Sequence, residues 1–140
     1  MAEYKIGDQA ELSKTITAED VRAFADLSMD HNPIHIDEKF AATTKFKAPI
    51  AHGLYVSSFI SAVLANHLPG GGSIYVEQNL KFKAPVFMGD TITAKVKIIE
   101  FPRPGYMRLE TTCVNQNGVA VIDGNALIKY QSATLSHVDR

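Results

Sequence analysis

Residues Ile50 to Leu68 read IAHGLYVSSFISAVLANHL, a stretch without one charged side chain. Its residues are apolar or small at nearly every position, so no polar stripe is available to face water. A helix of that kind is buried on all sides unless it spans a bilayer. This one falls short of the ~20 predominantly apolar residues a span needs and carries three serines. Pro69 and the three glycines Gly70, Gly71 and Gly72 end it. The rest of the chain must therefore supply a surface that wraps a central helix.

The residues after it supply strands. Ile74, Val76, Gln78, Leu80 and Phe82 alternate with Tyr75, Glu77, Asn79, Lys81 and Lys83. Pro85 to Asp90 reads as a turn, after which Ile92, Ala94, Val96 and Ile98 alternate with Thr91, Thr93, Lys95 and Lys97. Pro102 to Gly105 turns the chain again. Met107 to Val114 and Val119 to Tyr130 are two further strands, joined by Asn115-Gln116-Asn117-Gly118, whose Asn-Gly is a hairpin signal. Gly124 interrupts the last strand and suggests a bulge. From Gln131 onward the tail is polar and reads as loose.

Ahead of the helix, Ile6 to Ile16 opens on a Gly7-Asp8 turn and continues as a strand. Thr17-Ala18-Glu19-Asp20 has the spacing of a capping box. The helix it starts carries Val21, Phe24, Ala25 and Leu27 and stops near Met29, because Asn32 precedes a proline and is driven toward extended geometry. Asp37 can cap a short helix over Glu38 to Thr43, and Lys45 to Pro49 is a connector. One strand, then a buried helix, then four meandering antiparallel strands imply a sheet curled around that helix. This is a hot-dog architecture of class α+β, expected as one domain over residues 1–140. Open sheet edges in such a fold favour a homodimer.

Composition narrows the function classes. Hydrophobic residues at 46% and charged residues at 21% are ordinary for a soluble globular chain, and the formal net charge of −1 gives no electrostatic case for nucleic acid or an anionic membrane. The single cysteine, Cys113, excludes an intrachain disulfide and reads as a small buried residue. The first residues, MAEYKIGDQAELSK, show no secretion signal, so the expected location is cytoplasmic.

The chemistry concentrates in FADLSMDHNPIHIDEKFA, Phe24 to Ala41. Asp30 and His35 stand five residues apart on a turn expected to be non-helical and fixed by proline, and can act as an acid/base pair. A metal set of His31, His35 and Asp37 lacks the helical i, i+4 geometry because Pro33 intervenes. His31, His52 and His67 read as structural or exposed.

Phe24, Leu27, Ser28, Asp30, Asn32, Pro33, Ile34, His35 and Ala41, together with Ala51-His52-Gly53-Leu54, Ser61 and the weaker KAPVFMGDTI of Lys83 to Ile92, resemble the signature of the (R)-specific enoyl-CoA hydratases, the MaoC-like group of hot-dog proteins. Met29 departs, standing where that pattern commonly has glycine. The resemblance covers essentially the whole chain. It implies reversible hydration of a trans-2-enoyl-CoA to an (R)-3-hydroxyacyl-CoA, with short acyl chains of C4 to C6, no metal and no redox cofactor. Asp30 and His35 would hold the water and exchange its protons. The Gly53 N–H at the positive end of the central helix would stabilise the thioester oxygen, and the absence of a Cβ would let the thioester approach. Ser61 matches a supporting serine. Lys45, Lys47, Lys81, Lys83 and Arg103 are candidates for the CoA phosphates, although a solvated strand face explains Lys81 and Lys83 equally well. Three other readings stay open: a dehydratase on acyl-carrier-protein substrates, an acyl-CoA thioesterase, and a non-catalytic acyl-CoA-binding subunit.

Overall fold

The computed structural model describes residues 3–131, so the polar tail beyond Gln131 lies outside the described residues. In chain order the elements are β1 (Gln9–Thr15), α1 (Ala18–Ser28), α2 (Pro33–Ile36), α3 (Glu38–Ala42), α4 (Gly53–Asn66), β2 (Ile74–Phe82), β3 (Thr91–Glu100), β4 (Tyr106–Val114) and β5 (Ala120–Lys129). The strands form one antiparallel five-stranded sheet in the order β1-β3-β4-β5-β2. This is the expected α+β hot-dog arrangement, with α4 lying on the sheet and packed chiefly against β3.

The patterns predict the core well where a strand is central. Ile92, Ala94, Val96 and Ile98 of β3 are all buried, as are Met107, Leu109 and Cys113 of β4. They meet Val56, Phe59, Ile60, Val63 and Leu64 of α4. Burial pushes the Cys113 thiol up to about 12, in keeping with a packing residue rather than a reactive one. The Asn115–Gly118 hairpin forms, with Gly118 at φ 77 and the Asn115 carboxamide oxygen accepting from the N–H groups of Asn117 and Val119.

Four expectations need correction. The strands do not meander throughout: β2 pairs with β5 rather than β3, because residues 83–90 cross the molecule instead of forming a hairpin. That crossing is tied down by Lys83 N–H to Val121 O, Ala51 N–H to Val86 O and Gly89 N–H to Ile16 O. The helix is not covered on every side, since Leu54, Ser58 and Ser61 are exposed. Strand β2 lies at an edge with Ile74, Val76 and Phe82 about half exposed, so its apolar row is not buried within one chain. Gly124 marks no bulge, because it pairs in regular register with Leu80 and Thr111. It is glycine because a Cβ there would fall 1.9 Å from the Asn79 carbonyl oxygen.

Among the described residues no helix is long and apolar enough to cross a membrane.

Candidate active site

The turn between α1 and α3 is built by side chains that serve as backbone partners. Thr17 caps α1 by accepting from Asp20 N–H at 3.1 Å, while the Asp20 carboxylate lies 3.5 Å from Lys14 Nζ. The helix ends with Met29 in the left-handed region at φ 68. Ser28 Oγ then accepts from Asp30 N–H, and Asp30 Oδ1 accepts from Asn32 N–H, each at 3.2 Å. Asn32 Oδ1 accepts from Ile34 N–H and so caps α2, with Pro33 in its first turn. The proline therefore starts one turn of helix rather than keeping the segment non-helical, and His35 is carried on that turn. Asp37 caps α3 through Phe40 N–H, and His31 pairs with Asp26 at 3.1 Å. Both are engaged away from His35, which disposes of the three-residue metal set considered above.

His35 Nδ1 lies 2.6 Å from the carbonyl oxygen of Ile50. A carbonyl only accepts, so Nδ1 carries the proton and Nε2 is left as the basic nitrogen. Burial, the main influence, holds the imidazole below its ordinary pKa of 6.5; the Ile50 contact and Asp30 oppose that shift, and His52 adds to it. At neutral pH His35 is therefore poised as a base.

His35 and Asp30 border one cleft of about 510 Å³ together with His52, Gly53, Phe82 and Val86. Gly53 is the first residue of α4, and no side chain caps that end of the helix. Its first N–H groups have no partner within the helix, and they carry the positive end of the helix dipole. The cleft thus joins a carboxylate, a basic ring nitrogen and an anion-stabilising backbone. The expected access to Gly53 is altered in one respect. A Cβ at residue 53 would lie 2.5 Å from two ring carbons of Phe82, so that ring occupies the space the glycine leaves.

Ser61 is not brought to this cleft within one chain. It sits on the exposed face of α4 and lines a separate groove with Ser57, Tyr75 and Gln78. Of the basic candidates, Lys45 and Lys83 border the cleft, Lys81 lines a groove with Glu110 and Asp123, and Arg103 lies 4.0 Å over the Tyr106 ring.

Sequence reasoning missed the placement of His52, read as merely structural or exposed. It is 2% exposed, stacks on His35 with ring centroids 3.8 Å apart, and contacts the Asp30 carbonyl oxygen through Nε2 at 3.0 Å. Its position next to Gly53 at a helix start was the available signal. Asp30, His35 and His52 each offer an atom within 4.8 Å of the others. They are nevertheless a poor metal set, because near-parallel stacked rings aim their in-plane lone pairs side by side rather than at one ion.

A family model described as MaoC-like domain matches residues 3–116. The chain belongs to the MaoC-like family. Among members of this MaoC-like family, it is 50% identical over 125 residues to an (R)-specific enoyl-CoA hydratase of Rhodospirillum rubrum, covering 89% of this chain and 86% of that protein. A 3-hydroxybutyryl-CoA dehydratase of Methylorubrum extorquens is 48% identical over 119 residues, 84% of this chain and 75% of that one. The solved structure of the (R)-hydratase from A. caviae involved in PHA biosynthesis superposes with a TM-score of 0.90 at 42% identity, covering 94% of this chain and all of that one.

Proposed function

We propose that this chain reversibly hydrates the C2=C3 bond of a trans-2-enoyl-CoA to give the (R)-3-hydroxyacyl-CoA, with Asp30 and His35 as the acid/base groups. The observation that carries the reading is the meeting, in one cleft, of a carboxylate, an unprotonated ring nitrogen and the uncapped start of α4. The water oxygen bonds to C3 as one of its protons passes to the dyad. The π electrons move toward the thioester carbonyl, whose oxygen gains charge beside the Gly53 N–H, and C2 then takes a proton from the dyad. Overall H adds at C2 and OH at C3, a redox-neutral change that balances without a cofactor.

Its relatives' names support the R hand and the CoA thioester. Short acyl chains, one functional domain over residues 1–140 and a cytoplasmic setting complete the reading. A second copy of this chain is its proposed partner, seated along β2 and the serine-bearing face of α4. The half-exposed apolar row of Ile74, Val76 and Phe82 supports that seat. Ser61 would then act from the interface rather than from within the cleft of its own chain.

The test is loss of enoyl absorbance on mixing with crotonyl-CoA, followed by chiral analysis of the alcohol. Asp30→Asn and His35→Ala should each lower kcat by ~10² or more. The acid limb of kcat/KM should fall below pH 6.5, because His35 must be unprotonated and its pKa is held down by burial. Release of free thiol would support a thioesterase instead. Activity confined to acyl-carrier-protein substrates would move the assignment to the dehydratase reading, and binding without turnover to the non-catalytic one.

A further inference from the structure

His52 connects every part of the proposed machinery. It is the N-cap residue of α4, immediately before Gly53. Its Nε2 lies 3.0 Å from the Asp30 carbonyl oxygen, and its ring lies between His35, at 3.8 Å and 26° between planes, and Phe24, at 4.8 Å. A carbonyl oxygen cannot donate, so Nε2 carries the proton and Nδ1 is left with its lone pair. That Nδ1 is buried and without a hydrogen-bond partner. A buried imidazole with one fixed donor is a rigid spacer between two catalytic groups and a helix start.

We propose that His52 is a positioning residue for the hydration reaction, clamping the His35 ring by stacking and the Asp30 backbone by a hydrogen bond so that both face the N-terminus of α4. This rests on the hydratase reading above. Two contacts, on different atoms, carry the role. The stack fixes the plane in which His35 Nε2 points, and the hydrogen bond fixes where the Asp30 turn sits. His52 also covers one face of His35 against water, adding to the burial that disfavours its charged form. The other ionisable groups around His35 are Asp30 on its own turn, Lys45 and Lys83 across the cleft, and Arg22 of α1 and Glu38 of α3 on its far side.

The two contacts can be removed separately. His52→Phe keeps an aromatic ring in the stack but has no donor, whereas His52→Gln keeps a donor at similar reach without the ring. Each should lower kcat for crotonyl-CoA by about tenfold or more with KM within about threefold, as misorientation of reacting groups does. His52→Gln should also raise the acid limb of kcat/KM, because water then reaches His35. A loss of kcat at near-constant KM in either folded variant supports the proposal and identifies the contact responsible. Both variants folding and staying within about twofold of wild type in kcat, with the acid limb unmoved, overturns it. If neither variant folds, ring-nitrogen NMR of the wild-type protein with labelled histidine decides. His52 as the Nε2–H tautomer supports the clamp; His52 as the Nδ1–H tautomer overturns it. That spectrum does not depend on turnover, whereas absence of wild-type activity would sink the hydratase reading alone.

Discussion

Met29 shows how a single residue can depart from a pattern without disturbing the site. The resemblance places glycine there, and the structure supplies the reason: φ is 68, in the left-handed region that ends α1. An L side chain pays about 1–2 kcal/mol for that conformation, and glycine is the usual residue after a helix C-terminus. The Met29 side chain is 81% exposed and takes no part in lining the cleft, so no packing offsets the strain. Met29→Gly should therefore stabilise the protein by roughly 0.5–1 kcal/mol, the net after glycine's greater freedom in the unfolded chain is subtracted. Urea unfolding with an unchanged m-value would show it, with kcat within twofold of wild type; a less stable variant would refute the strain argument. At this scale the sequence grouped Asp30, Asn32, Pro33 and His35 on one turn because their spacing is local, and the structure brings Asp30 and His35 to one cleft. His52 lay beyond reach, because nothing in a linear reading places residue 52 on the ring of residue 35 or on the carbonyl of residue 30.

Elements were legible wherever one strand face meets the core. β3 and β4 alternate cleanly because both are central in the sheet, with α4 against one face. The alternation of β2 is just as regular, yet of its apolar side chains only Leu80 packs against the core while Ile74, Val76 and Phe82 lie half open, because period-two patterning reports a face and not what covers that face. The same limit applies at the start of α4. Gly53 was read as room for a thioester, and the structure puts the Phe82 ring into that room. The two accounts separate experimentally. Alanine is the better helix former by up to about 1 kcal/mol, so a Gly53→Ala defect would not be a loss of helix. Phe82 is 55% exposed and its ring can swing aside, so the variant should fold. Its kcat/KM should drop on the order of 10²-fold, because the added methyl displaces the thioester from the helix N-terminus. Adding Phe82→Ala should not restore the rate if substrate approach is what glycine serves. Recovery in the double variant would show instead that the glycine is there for the ring.

For the molecule as a whole, the open β2 edge is the feature a single chain leaves unexplained. An exposed edge strand with an apolar row invites pairing with another chain unless it is blunted by charge, proline or a bulge. β2 has a register shift between Tyr75 and Glu77, with half-exposed Val76 at the shift and half-exposed Ile74 and Phe82 on either side of it. Beside that edge, α4 turns its exposed Leu54, Ser58 and Ser61 outward, all uncharged, the two serines small enough to allow close approach. The proposed second copy would bury both surfaces at once and complete the enclosure of a helix that has no charged residue on any face. Sedimentation at micromolar concentration should accordingly give twice the mass of the chain, and the melting temperature should rise with protein concentration, as it does when folding and association are coupled. Val76→Lys places a charge at the centre of the apolar row, the device natural edge strands use against pairing. It should shift the population toward monomer and lower the melting temperature, while leaving the secondary structure seen by circular dichroism intact. A wild-type monomer at those concentrations would remove the partner from the proposal. A Val76→Lys protein that dimerises as tightly as wild type would move the interface away from β2, and with it the expectation that Ser61 works from the interface.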